Sequence, residues 1–391
     1  MLIWPIPLFI LFFIKFHYEQ SFKNMFFPIF FLILLTLDSL YYGVFMLLFS
    51  FIYECFFLLK KFNIKRNYIL KLFGIFLIYL LILSPLFLGI LSSIFSRKYV
   101  GNWDTDYWSA DIFTLFIPGT LAKSKMLFEN ANWWQRIMTN SHVGAENQNF
   151  LGYTVLILSI IGFITEFKKR KNKNAKNFYL GFWLILACVG IVFSLGTQLK
   201  FLGYIFNVKL PYYYIYKIFP LVSVPGRFIL LTIISLSILS AIGITNLSES
   251  LSKKAKYLFY SIIFLLIFLE FLAVPYPITT YKVSEFYYQL KNEKGDFAIY
   301  DLSHRDTSDY FRAAGFHMYY QTIHNKKITD GRISRNNLAA LNYAENGPPT
   351  SDFKKLNIKY VICSKNSILC ENFTNYPIIY DDEDIYVHRI F

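Results

Sequence analysis

Charge is scarce in this 391-residue chain: Asp, Glu, Lys and Arg make up 16 % of it, where a soluble domain carries about 25 %. Cysteine is scarce as well, with four in all, too few for a disulfide-stapled secreted scaffold. No Walker loop, dinucleotide-binding glycine fingerprint, zinc-ligand spacing or nucleophile elbow occurs, so nucleotide, zinc and α/β-hydrolase chemistry have no sequence support. These shortages exclude a cytosolic enzyme and a disordered chain. What is present is apolar: 55 % of residues are hydrophobic and 20 % aromatic. Long apolar runs carry the excess, which predicts a polytopic helical membrane protein. Phe, Tyr, Ile, Lys and Asn are abundant together, as an AT-rich coding bias would also produce, so aromatic content by itself marks no site.

The apolar runs predict helices near 2–14, 25–37, 40–59, 69–94, 150–167, 178–195, 228–247 and 257–274. The formal net charge is +14, and its position matters more than its size. Residues 275–391 hold 14 basic and 14 acidic residues, so the whole excess lies in the apolar part. It gathers on short connections: Lys60, Lys61, Lys65, Arg66 and Lys71; Lys168 to Lys176; Lys253, Lys254 and Lys256; and Lys15 with Lys23. Basic connections stay cytoplasmic. All of them fall on one side only if the stretch 25–59 turns at Asp38-Ser39 and crosses twice. The expectation is therefore a bundle of about eight transmembrane helices over 1–274, in the plasma membrane. Its two long connections, 95–149 and 196–227, lie outside, together with a small α/β domain over 275–391. Cations dispersed over juxtamembrane loops do not suit nucleic acid. Charged residues are missing from the midplane of the expected spans, which disfavours a proton-coupled transporter.

The outer connections carry the candidate chemistry. Asp104, Asp106 and Asp111 sit among Trp103, Tyr107 and Trp108. They suit a general base toward a sugar hydroxyl or a divalent cation, and equally a solvated loop with an interfacial aromatic girdle. Further on, Val224-Pro-Gly-Arg227 opens a helix. Its unpaired first-turn N–H groups, Arg227 and nearby Lys217 suit the phosphate of a lipid or a lipid-linked donor. Arg227 snorkelling to ordinary headgroups is the competing reading.

The string Phe219-Pro-Leu-Val-Ser-Val-Pro-Gly-Arg227-Phe-Ile-Leu-Leu resembles a segment of proteins related to the GT-C superfamily of integral-membrane glycosyltransferases. Asp38-Ser-Leu-Tyr-Tyr-Gly-Val-Phe, Tyr107-Trp-Ser-Ala-Asp111-Ile-Phe-Thr-Leu-Phe-Ile-Pro-Gly and Asn149-Phe-Leu-Gly-Tyr-Thr are similar to other pieces of the same proteins. The resemblance implies transfer of a sugar from a polyprenyl-phosphate carrier on the outer face, with Asp111 or Asp106 assisting and Arg227 and Lys217 holding the carrier. Such enzymes place a catalytic acid in their first outer loop, and no outer acidic loop precedes Asp38. Met1 also runs into Leu-Ile-Trp-Pro with no basic leader. The resemblance is therefore to a C-terminal half, and a separately encoded N-terminal half is an expected partner. The alternative is a non-enzymatic assembly protein whose external domain recruits a glycan or another protein.

The charge-neutral segment predicts a strand over 296–302, a helix over 308–323, a strand over 358–363 and a hairpin around Asp381-Asp-Glu-Asp384. It also holds the polar residues Gln321, His324, Asp330, Arg332 and Arg335, similar to a string in the same relatives. They suit a glycan or phosphate, or satisfy the domain's own backbone and carboxylates. Cys363 and Cys370 are free core residues or a bridge. No third ligand accompanies His317 and His324, so no metal site is expected there.

Overall fold

The computed structural model describes residues 3–60, 66–96, 99–100, 105–119, 130–140, 148–171, 180–218, 222–273, 282–304, 310–329, 331, 336–337, 347–365 and 367–391. Two compact units divide the chain: 1–85 with 103–277, and 86–102 with 278–391. Helices dominate the first unit and a sheet organises the second.

The helices of the first unit begin with α1 (Pro5–Tyr18), α2 (Phe22–Asp38), α3 (Leu40–Lys60) and α4 (Arg66–Ile82). After α5 (Ser84–Ser96), which begins in this unit and runs into the second, come α6 (Asn132–Asn140), α7 (Tyr153–Lys171), α8 (Leu180–Ser194), α9 (Pro211–Ile218), α10 (Ile229–Ser248) and α11 (Lys253–Phe271). Pro5 suits the first turn of α1, where its missing N–H is no loss. The Ser21 hydroxyl accepts from Asn24 N at the start of α2. The apolar stretch 25–59 does break at Ser39, whose N–H closes α2 on Leu35 O.

The helices lie where the apolar runs predict them, with two corrections. The fourth run is not one helix. It breaks at Leu83, before Ser84-Pro85, and its halves are bent by 61°. Pro85 lacks an N–H and its ring crowds the preceding turn, so a straight helix through it is disfavoured. The eight expected crossings are not supported either. Among the described residues two helices, Leu40–Leu59 and Pro225–Ser248, are long and apolar enough to cross a membrane, or three if the bent pair is one span. A crossing needs about 20 residues. The helices α1 and α8 have 14 and 15, while α7 and α11 have charged ends.

Within the bundle, α7 and α10 touch backbone to backbone. A Cβ on Gly162 would stand 2.0 Å from Leu239 O, and one on Gly243 2.2 Å from Leu158 O. Only glycine allows that approach. At another place His17 Nε2 pairs with Glu54 Oε1 at 2.8 Å and Tyr68 Oη donates to Glu54 Oε2 at 2.6 Å, tying α1, α3 and α4 together with all three side chains buried.

The strands begin with β1 (Tyr99–Val100) in the second unit. The first unit holds a hairpin of β2 (Gln198–Phe201) and β3 (Tyr204–Lys209). The second unit adds β4 (Ala298–Asp301), β5 (Lys327–Ile328), β6 (Asn336–Asn337), β7 (Ile358–Ser364), β8 (Ile378–Asp381) and β9 (Ile385–Arg389), with helices α12 (Glu285–Asn292) and α13 (Tyr310–His324). A five-stranded sheet runs β5-β4-β7-β9-β8. Its first three strands are parallel and β9 is antiparallel to both its neighbours, while β1 pairs with β6 apart from it. Strand alternation feeds two cores. Ile299, Tyr360 and Ile362 meet Phe286, Leu290 and Tyr320 on one face; Tyr300, Val361 and Cys363 meet Phe353 and Phe373 on the other. Cys363 and Cys370 are bridged in that second core.

Candidate functional site

Four separated pieces of chain converge on one place in the first unit. Gly226 N donates to Trp108 O at 3.1 Å, Ala110 N to Ser194 O at 2.8 Å, and Leu151 N to Leu115 O at 3.0 Å. Ser223 N donates to Tyr41 Oη at 3.1 Å, and that hydroxyl also lies 3.1 Å from Ser223 Oγ. The Arg227 guanidinium sits 4.6 Å over the Tyr41 ring, a cation–π arrangement that orients the fork. Tyr41, Trp108, Leu151 and Arg227 come from four segments far apart in the chain. Tyr212, buried beside them, donates its hydroxyl to Val222 O. Burial raises its pKa far above the ordinary tyrosine range, helped by Tyr41 and Tyr216, so it remains a donor. Lys217 is exposed in the last turn of α9.

The acids take unlike places. Asp111 is 1 % exposed. Its Oδ1 accepts from Phe113 N at 2.8 Å and Leu202 N at 3.1 Å, and its Oδ2 from Gly203 N at 2.8 Å. A carboxylate so engaged holds two pieces of backbone together and has no open face for a sugar hydroxyl. Leu202 and Gly203 form the β2–β3 turn with φ of 51° and 77°. A Cβ on Gly203 would stand 2.7 Å from Arg136 O, so glycine is required there twice over. Asp106 is half-buried. Its carboxylate accepts from Thr197 Oγ1, and its backbone carbonyl accepts from the buried Lys200 ammonium and, at 2.8 Å, from Ser109 Oγ. Asp104 lies outside the described residues. Among the described residues no group of three or more His, Cys, Asp or Glu could hold a metal ion.

Residues 4–270, which include this whole convergence, match one family model. The chain belongs to DUF6311, a domain of unknown function. No curated protein matches the sequence. The DUF6311 match ends at Glu270 in the last turn of α11, where that carboxylate caps α7 through Thr154 N and Oγ1 at 2.8 and 2.7 Å.

The polar residues beyond the DUF6311 region serve local structure where they are described. Gln321 Nε2 donates to Lys326 O at 3.0 Å, and His324 Nδ1 accepts from Lys326 N at 2.9 Å; together they close the turn from α13 to β5. Burial lowers the His324 pKa to about 4 against a smaller opposing effect of Asp301, which suits a neutral imidazole acceptor. Asp330, Arg332 and Arg335 lie outside the described residues. In the acidic hairpin, Asp382 accepts from Asp384 N, Ile385 N and Ser284 Oγ at 2.8, 2.7 and 2.6 Å. Burial pushes its carboxyl up, but these bonds outweigh that and hold it below the ordinary range. Lys282 pairs with Glu383 and Asp384, and Lys365 with Asp381, so two lysines offset half of the turn's four carboxylates. Lys200, Tyr41 and Ser223 are not singled out as site residues by the sequence, because a lone Lys in a strand or Tyr in a helix gains meaning only from its distant partner.

Proposed function

We propose that this DUF6311 protein is a multi-pass membrane protein that binds the phosphate of a polyprenyl-phosphate-linked sugar on the outer face, as relatives of GT-C glycosyltransferases would. The observation that carries it is the convergence of Tyr41, Trp108, Ser223, Gly226 and Arg227. A cation is oriented there on an aromatic ring beside a turn that starts a candidate membrane span. Lys217 supplies a second cation to the carrier from α9. Asp111 holds the β2–β3 turn, so of the described outer-loop acids Asp106 is the one left to assist a transfer step.

Two observations support the outer location of this end and of the C-terminal unit. The short connections hold most of the basic residues of 1–274, and Cys363–Cys370 is a bridge, which an oxidising compartment sustains. With Cys55→Ala and Cys188→Ala in place, Tyr288→Cys puts a thiol at an exposed position of α12; a membrane-impermeant maleimide applied to whole cells should label it, and labelling only after lysis would overturn the orientation.

The binding test uses the purified full chain in lipid nanodiscs with a polyprenyl monophosphate, read by native mass spectrometry. Arg227→Ala should bind at least tenfold more weakly, about 1.4 kcal/mol, and unchanged binding removes the phosphate site. A non-enzymatic assembly role is the second reading, favoured by the complete engagement of Asp111 with backbone. Sugar transfer by the purified full chain from a polyprenyl-phosphate-linked donor would eliminate it.

A further inference from the structure

The β2–β3 hairpin is held firmly and yet presents an apolar surface. Its turn is fixed by the Asp111 carboxylate and by Gly203 against the Arg136 backbone. Its far end is closed by Leu210 N donating to Thr197 O at 3.0 Å. Every residue of β3 is exposed. Tyr204, Ile205, Phe206 and Val208, with Tyr214 and Ile215 of α9, are each 44–58 % exposed. The sheet has two strands only, so the outer edge of β3 has no strand partner among the described residues.

Charge and position say what covers this surface. From 198 to 218 there are three lysines and no acid. Two cations lie against tyrosines: the exposed Lys209 has its Nζ 4.8 Å from the Tyr213 ring, and the half-buried Arg136 has its guanidinium 4.5 Å from that of Tyr204. The hairpin begins just after α8 ends at Ser194, and the candidate span Pro225–Ser248 begins soon after α9 ends at Ile218. Tyrosine beside lysine at the end of a span is the composition of a membrane interface.

We infer that β3 and α9 form an interfacial platform that lies in the headgroup layer of an anionic lipid surface. The edge of β3, which has no strand partner among the described residues, keeps it out of the hydrocarbon, where free backbone groups would go unsatisfied. The headgroup layer supplies both acceptors for that edge and anions for Lys209 and Arg136. The inference rests on the membrane-spanning reading and is independent of phosphate binding at Arg227.

The test uses the full chain with Cys55→Ala, Cys188→Ala and Phe206→Cys, the last labelled with a fluorophore and reconstituted in vesicles. Flotation of the protein with the vesicles reports the spanning helices separately. Lipids brominated high on the acyl chain should quench the label, and aqueous iodide should not. Phosphatidylglycerol should strengthen the lipid quenching about twofold over phosphatidylcholine alone, and Lys209→Glu should abolish that gain. Free access of iodide without lipid quenching overturns the inference. Protection from both quenchers also overturns it and points to a protein covering the hairpin. Quenching that is indifferent to lipid charge removes the anionic part.

Discussion

The helical bundle and the C-terminal sheet unit handle polar groups in opposite ways. In the bundle the polar side chains that join elements are buried: His17–Glu54–Tyr68 joins three helices, and the Asp111 carboxylate ties down a hairpin turn. In the sheet unit they are many, and several are exposed pairs: Lys282–Glu383, Lys327–Asp296 and Lys365–Asp381. A buried group without its partner loses both a hydrogen bond and its solvation, whereas an exposed one regains water. The bundle should therefore fail at single positions where the sheet unit tolerates change.

Four variants would break or sharpen this contrast. Glu54→Ala strands His17 and Tyr68 in the bundle and should cost about 3 kcal/mol, read as a lower melting temperature in detergent; an unchanged value would sink the idea that these three residues act as a unit. Asp111→Ala frees three backbone N–H groups and should cost about 2 kcal/mol, with faster amide exchange confined to Leu202, Gly203 and Phe113. Exchange as slow as in the parent protein would show that packing alone holds the turn.

In the sheet unit the largest single effect should come through pH. The folded His324 pKa of about 4 lies below the ordinary value of about 6.5. The unfolded chain then binds the extra proton first, so stability is full above about pH 6.5 and is lost as pH falls toward 4, by up to about 3 kcal/mol. The effect is smaller than that of Glu54→Ala at neutral pH, where it vanishes. His324→Gln should flatten exchange rates of α13 between pH 6.5 and 4; an unaltered slope assigns the dependence to another group. Lys282→Ala, whose side chain is largely exposed, should leave melting unchanged, and a clear drop would contradict the contrast drawn here.

Much of the fold is legible in the chain. Hydrophobic runs mark the helices, and short apolar runs rich in Ile, Val and Tyr mark β4, β7 and β9, whose strands are largely buried. The sequence by itself also determined the break at Asp38-Ser39, the segregation of basic residues to short connections and the acidic hairpin turn. Helix length was less legible. A run such as 69–94 reads as continuous by hydropathy, yet Pro85 and the caps end the helices.

The candidate site was legible by residue type but not by role. Asp111 and Arg227 stand out on the page, the one as an acid among aromatics and the other at a helix mouth. Only the tertiary structure decided that Asp111 accepts from backbone 91 and 92 residues away, and that Arg227 lies on Tyr41. Tyr41 in turn meets Ser223 across 182 residues. Local patterning carries the free energy of burying one face of one element. Which carboxylate becomes a ligand to backbone, and which cation stays oriented toward a possible anion, depends on contacts between elements that no window of sequence contains.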